Sequence, residues 1–136
     1  MGRPLTAGER IEAREVQVTR ADLVRYAGAS GDFNPIHWSD RQARELGLEG
    51  VIAHGMWTMG RACSAVTDWV GEGYRVSDCF ARFTRPVKVP DDASGATVVF
   101  AGEVTEVGEA GATITIEATC EGQKVLGAAK VEVRHV

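Results

Sequence analysis

Two acid–base side chains stand close together in the segment Ser30-Gly31-Asp32-Phe33-Asn34-Pro35-Ile36-His37. A carboxylate beside an imidazole supplies two proton-transfer groups near neutral pH, because the Asp orients or stabilises the His and either can hold a water. On an α-helix their spacing would set Asp32 and His37 about 140° apart. A loop folded at Asn34-Pro35 brings both side chains to one point, and an Asn-Pro pair opposes continuation of a helix. Alone, the same residue types serve as turn and surface groups. A second segment, Ile52-Ala53-His54-Gly55-Met56, adds what the pair lacks. It leads into a long apolar helical pattern, and free N–H groups at a helix N-terminus, with their partial positive charge, stabilise a developing oxyanion. The Gly55 N–H is the candidate donor; the alternative use of this glycine is close packing of helix against sheet.

The elements that must position these groups follow from pattern and punctuation. An extended segment is expected over about Glu9 to Val18. Thr19 with Asp22 three residues on predicts a helix N-cap, and the first helix runs from Arg20 to about Ala29. Ser39 caps a second short helix, about Asp40 to Leu46, stopped by Gly47. From Gly55 to about Val70, Met56, Met59, Gly60, Cys63, Val66 and Val70 form an apolar stripe that Ala62, Ala65 and Trp69 widen. A helix apolar over most of its circumference is a buried one, so the rest of the chain must wrap it. The C-terminal half supplies strands: Val98 to Val104, Thr113 to Cys120 and Val125 to Val133 each alternate apolar and polar residues. Gly108–Gly111 and Glu121-Gly122-Gln123 read as hairpin connections. A long strand from about Tyr74 to Val89 precedes them, bent, bulged or at an edge at Pro86. The fold class is α+β: an antiparallel sheet of about five strands wrapped around a long central helix.

Composition narrows the functions open to such a domain. The 136 residues, 44% of them hydrophobic and 25% charged, suit one domain spanning 1–136. A formal charge of −4 provides no basic field for a nucleic-acid backbone or an anionic membrane, so neither is an expected partner. No apolar run reaches the ~20 residues of a membrane-spanning helix, and Met1 to Leu5 lack the apolar core of a signal peptide; a cytoplasmic location is expected. Cys63, Cys79 and Cys120 are odd in number and form no C-x-x-C pair, so they are expected to be reduced thiols and not a zinc site.

The two-part motif Ser30-Gly-Asp-x-Asn-Pro-x-His37 followed by Ile52-Ala-His-Gly-Met56 resembles the MaoC-like (R)-specific hydratase/dehydratase family of hot-dog-fold proteins. Within it the chain is most similar to the HadB-type subunit of (3R)-hydroxyacyl-ACP dehydratases, through Tyr26-Ala27-Gly28, His37-Trp38, Ala53-His54-Gly55-Met56 and Arg82-Phe83-Thr84. The resemblance covers nearly the whole chain. It implies a single hot-dog domain paired with a second hot-dog subunit, as a homodimer or heterodimer, with the active site at their interface. It also implies interconversion of (3R)-hydroxyacyl and trans-2-enoyl thioesters, carried on CoA or on an acyl carrier protein (ACP), without a metal or cofactor. The family's catalytic pair falls on Asp32 and His37 and its oxyanion donor on Gly55. Some members carry a hydroxyl two turns into the central helix, where this chain has Cys63.

Asn34, His54, Cys63 and Arg85 are further candidates. Asn34 shapes the loop or fixes the pair's geometry. His54 is a locally bonded helix-entry residue, a third catalytic group, or a metal ligand with Asp32 and His37; no H-x-H or cysteine partner supports a metal. Arg85, with Arg82 and Lys88, is a contact for CoA phosphates or an acidic carrier, or a solvated strand residue. Trp38, Trp57 and Trp69 shape an acyl pocket or serve as core and dimer contacts. Two competing functions use the same shell: a non-catalytic acyl-binding or scaffolding subunit, which predicts loss of the motif, and a thioesterase, which needs a carboxylate on the central helix, for which Asp68 and Glu72 are available.

Overall fold

In the computed structural model, which describes residues 2–136, one antiparallel sheet is assembled in the order β1-β3-β4-β6-β2. Its strands are β1 (Arg10–Val18), β2 (Tyr74–Phe83), β3 (Ala96–Val107), β4 (Gly111–Cys120) and β6 (Leu126–His135), with a two-residue β5 (Gln123–Lys124) beside β4. Three helices, α1 (Arg20–Ser30), α2 (Asp40–Glu45) and α3 (Gly55–Val70), and a 3-10 turn at Pro35–His37 occupy the N-terminal half. The expected sheet and central helix are both present, and β1, β2, β4 and β6 all pack against α3.

Each element forms for a local reason. Thr19 and Asp22 make a reciprocal capping box at the start of α1, and Gly31 closes that helix in the left-handed region at φ 76°, where a Cβ is disfavoured. Ser39 accepts from the Gln42 N–H at the start of α2. In β3 the alternation is as expected, with Val98, Phe100 and Val104 fully enclosed, and in β4 Ile114, Ile116 and Ala118 face the same side. Facing them from α3 are Ala62, Ala65, Val66 and Val70. Each large aliphatic or Phe side chain so buried contributes roughly 1.5–3 kcal/mol. The β4–β5 connection is a two-residue turn with Glu121 at φ 52° and Gly122 at φ 75°, the backbone of a type I′ hairpin.

Three expectations need correction. The strand predicted to reach Val89 ends at Phe83; beyond the bend at Pro86, residues 87–89 leave the sheet and bond to the segment before α3, with Ala53 N–H donating to Val87 O and Val89 N–H to Val51 O. Proline has no N–H for the ladder, so the chain changes partner there. The buried stripe of α3 is rotated from the expected one: Trp57, Thr58, Ala62, Ala65, Val66 and Val70 are buried, while Met56 and Gly60 are exposed. In β6 the alternation slips at Ala128, a bulge residue at φ 47°, so that Leu126 is buried and Gly127 only half-buried.

Candidate active site

The loop between α1 and the 3-10 turn is held by its own short polar side chains. Asp32 N–H donates to Ser30 Oγ at 3.2 Å, Asn34 N–H to Asp32 Oδ1 at 3.1 Å, and Ile36 N–H to Asn34 Oδ1 at 3.2 Å. Asn34 thus shapes the loop through its side chain, and its carbonyl oxygen accepts from the His37 N–H at 3.0 Å. With Oδ1 engaged, Asp32 presents Oδ2 to His37 Nε2 at 3.9 Å. That gap is too long for a direct hydrogen bond and leaves both atoms available to a group between them.

The protonation of His37 follows from its other contact. Nδ1 lies 2.7 Å from the Ile52 carbonyl oxygen, which can only accept, so Nδ1 carries the proton and Nε2 is the basic nitrogen. His37 is buried at 7% exposure. Ile52 N–H in turn donates to Ile36 O at 3.0 Å, which ties the turn to the strand-like segment leading into α3.

That segment is anchored from behind. Asp40 Oδ1 accepts from Val51 N–H at 2.9 Å and from Arg20 Nη2 at 2.8 Å, and Arg20 Nε donates to Val89 O at 2.6 Å. The Val51 N–H bond above all holds the Asp40 carboxyl below the usual carboxylate range; burial, next in size, opposes it, and the Arg20 guanidinium adds to the lowering. At the start of α3, Trp57 and Thr58 N–H both bond to His54 O, which leaves the Gly55 and Met56 N–H groups ahead of the first helical bonds. Gly55 also has a packing reason: a Cβ there would fall 2.9 Å from Phe83 Cε1. The packing use of this glycine is therefore present, and its N–H is left without an intrahelical partner.

Asp32, His37, His54, Gly55 and Thr58 share one cavity of about 460 Å³. Its remaining walls are mainly apolar, among them Leu48, Ile52, Met56, Phe83, Val125 and Leu126. A few convergent polar groups at one end of an apolar cavity are the pattern of a small-ligand site. Arg85 lies on its margin and also lines a neighbouring cleft with Lys88 and Gln123. Lys88 is committed to Glu49 at 2.6 Å. Arg82 does not line the cavity.

Other candidates fall elsewhere. Cys63 is not among the cavity-lining residues; it lies beside Cys79, whose thiol is pushed up to about 12 by burial and then by Cys63. All three cysteines are free thiols. Trp57 is a core residue, Trp69 stacks on the Arg3 guanidinium at 4.3 Å, and Trp38 is exposed with its Nε1–H on Phe33 O; none lines the cavity. Asp68 lies about 20 Å along α3 from Gly55 and is paired with Arg14, so the helix places no carboxylate at the cavity. Thr58 escaped the sequence reading: its hydroxyl-bearing side chain is 3% exposed and lines the cavity one turn from His54. The i, i+4 spacing from His54 was the available signal.

Asp32, His37 and His54 bring one ligand atom each within 4.8 Å of one another. The His37 and His54 rings, however, are stacked at 3.8 Å with planes 21° apart. Ring lone pairs lie in the ring plane, so these two lie in nearly parallel planes stacked one over the other, an arrangement that opposes their convergence on one cation.

Residues 4–121 match the family model described as MaoC like domain. The chain is similar to 3-hydroxyacyl-thioester dehydratase X of Mycobacterium tuberculosis, 36% identical over 81 residues that cover 60% of this chain and 28% of that protein. Among solved structures it is similar to a MaoC-like dehydratase, with TM-score 0.89 and 33% identity over 97% of this chain and 41% of that one. It is also similar to R-hydratase PhaJ1 from Pseudomonas aeruginosa, with TM-score 0.83 and 25% identity over 96% of this chain and 82% of that one. The chain spans about a quarter to a half of the length of the curated relatives it matches.

Proposed function

Because the chain belongs to the MaoC-like domain family, we propose that it is an (R)-specific hydratase/dehydratase that interconverts (3R)-hydroxyacyl and trans-2-enoyl thioesters. One observation carries the reading: His37 Nε2, the ring nitrogen left over by the Nδ1 bond to Ile52 O, and the free Asp32 Oδ2 face each other across 3.9 Å, in the same cavity as the N-terminus of α3. In the dehydration direction His37 Nε2 takes the proton from C2 while Asp32, directly or through a water, gives a proton to the departing C3 hydroxyl. The negative charge that develops on the thioester oxygen is met by the Gly55 N–H and the positive end of the helix. Hydration reverses these steps. Both proton transfers come from one side, so the elimination is syn.

The substrate is an acyl thioester of CoA or of an acyl carrier protein, its chain against Leu48, Ile52, Val125 and Leu126. Arg85, at the cavity margin, is the candidate contact for the carrier's phosphates or acidic face. The reading includes a second hot-dog subunit, identical or different. Its support is an outer strand, β2, that carries exposed Phe80 and Phe83 near exposed Met56. A cytoplasmic location belongs to the same reading; among the described residues no helix is long and apolar enough to cross a membrane.

The test is an assay of the purified chain against enoyl thioesters of several lengths, on CoA and on carrier protein, beside His37→Ala. Loss of the enoyl absorbance with wild type and a fall of about 10²-fold or more in the variant is expected. Equal rates in the two proteins would sink the assignment and favour the acyl-binding, scaffolding alternative.

A further inference from the structure

His54 takes no part in the chemistry above, yet at 2% exposure it is the most enclosed side chain of the site. Its ring touches two others, Tyr26 of α1 at 4.7 Å with a 57° tilt and His37 at 3.8 Å with a 21° inclination. Nε2 stands 3.1 Å from the backbone carbonyl oxygen of Asp32, so Nε2 carries the proton. Nδ1 is then a bare lone pair, buried without a partner. Folded chains rarely keep such an atom without a compensating reason. Burial, and to a smaller degree His37, hold the His54 pKa below the ordinary histidine value, although the bond to Asp32 opposes this. The titratable groups against it are Tyr26, Asp32 and His37.

The remaining bonds at Asp32 stay inside its loop, on Ser30 and Asn34. The carbonyl bond to His54 is what ties Asp32 to α3. His54 is also the N-cap residue of that helix, with no side-chain cap bond of its own, and its peptide leads directly to the Gly55 N–H. One side chain therefore touches the acid, the base and the entry to the oxyanion donor.

We propose that His54 is the positioning residue of the site, a neutral imidazole that sets Asp32 and His37 relative to the Gly55 N–H through its Nε2–H bond to Asp32 O and its stacking on His37. This rests on the hydratase reading. With three histidines in the chain, 15N NMR of the full protein reads each ring. His54 is expected in the neutral Nε2–H form at neutral pH, protonating only below the ordinary histidine value; titration near the ordinary value or an Nδ1–H tautomer overturns the proposal. In kinetics, His54→Leu is expected to lower kcat about 10²-fold with KM changed less than about 3-fold, the scale of a 1 Å misplacement. His54→Gln, which keeps an N–H for the Asp32 carbonyl, is expected to recover about 10-fold of that loss. Wild-type kcat in His54→Leu, or equal impairment of the two variants, overturns it. If wild type lacks hydration activity, the hydratase reading fails and the spectra decide the positioning claim: His54→Leu must displace the His37 and Asp32 resonances, and leaving both unmoved refutes it.

Discussion

Replacing Asp32 by Asn separates the charge of the loop carboxylate from its shape. Asn keeps an Oδ1 to accept from the Asn34 N–H, so the loop bond at 3.1 Å survives, and the melting temperature should not change. What disappears is the electrostatic partner and proton donor for the reaction. As the elimination proceeds, His37 gains a proton and Asp32 loses one, so opposite charges develop 3.9 Å apart. At that separation the Coulomb attraction is about 1 kcal/mol in bulk water and about 4 kcal/mol at an effective dielectric of 20. Asp32 is 51% exposed and His37 only 8%, so the value lies between these limits; about 2–3 kcal/mol corresponds to roughly 30- to 150-fold in rate. Losing the general acid adds a factor on the order of 10²–10⁴ taken alone. Because both losses arise from one side chain they overlap, and a fall in kcat of at least about 10²-fold is expected. The assay is hydration of a crotonyl thioester, followed by absorbance, on protein whose circular dichroism matches wild type. An Asp32→Asn enzyme that keeps more than a tenth of the wild-type kcat would refute this reasoning.

Further outcomes follow from the frame around the site. Asp40→Ala removes the acceptor for the buried Val51 N–H and the partner of Arg20 and should cost about 1–3 kcal/mol in urea unfolding near neutral pH. Because the folded-state carboxyl lies below its usual range, that contribution is fully present above the unfolded pKa and fades as pH falls through the lower folded value. The gap between wild type and variant should therefore be constant from about pH 6 to 8 and close below about pH 4. The proposed pairing, in its homodimer form, predicts that Phe80→Asp, on the exposed face of the outer strand β2, lowers the mass by light scattering to that of a monomer with the far-UV spectrum unchanged; an unchanged mass would contradict an interface at β2.

Much of the site was legible because its signals are local. Thr19 with Asp22, Ser39, and the Asn34-Pro35 turn each act through bonds spanning a few residues, and those bonds placed Asp32 and His37 together as expected. The alternation of β3 and β4 was equally plain, since one face of each is fully buried. What escaped depends on partners distant in sequence. The helix α3 is apolar over most of its circumference, so its pattern leaves the rotational phase open, and the sheet settled it with Trp57 and Thr58 inward and Met56 outward. The switch of residues 87–89 from the sheet to the segment at Val51–Ala53, and the bulge at Ala128, are likewise set by neighbours. His54 looked like a local helix-entry residue. Its contacts to Tyr26, Asp32 and His37 come from tertiary packing of three segments.

Product stereochemistry tests the central claim most directly. Incubating the purified chain with a trans-2-enoyl thioester in D₂O and resolving the hydroxyacyl product on a chiral column should give the (3R)-hydroxy thioester. Deuterium should enter C2 on the same face as the hydroxyl, and the signal should disappear in a protein lacking both Asp32 and His37. A (3S) product, anti addition, or the same product from the doubly substituted protein would contradict the account.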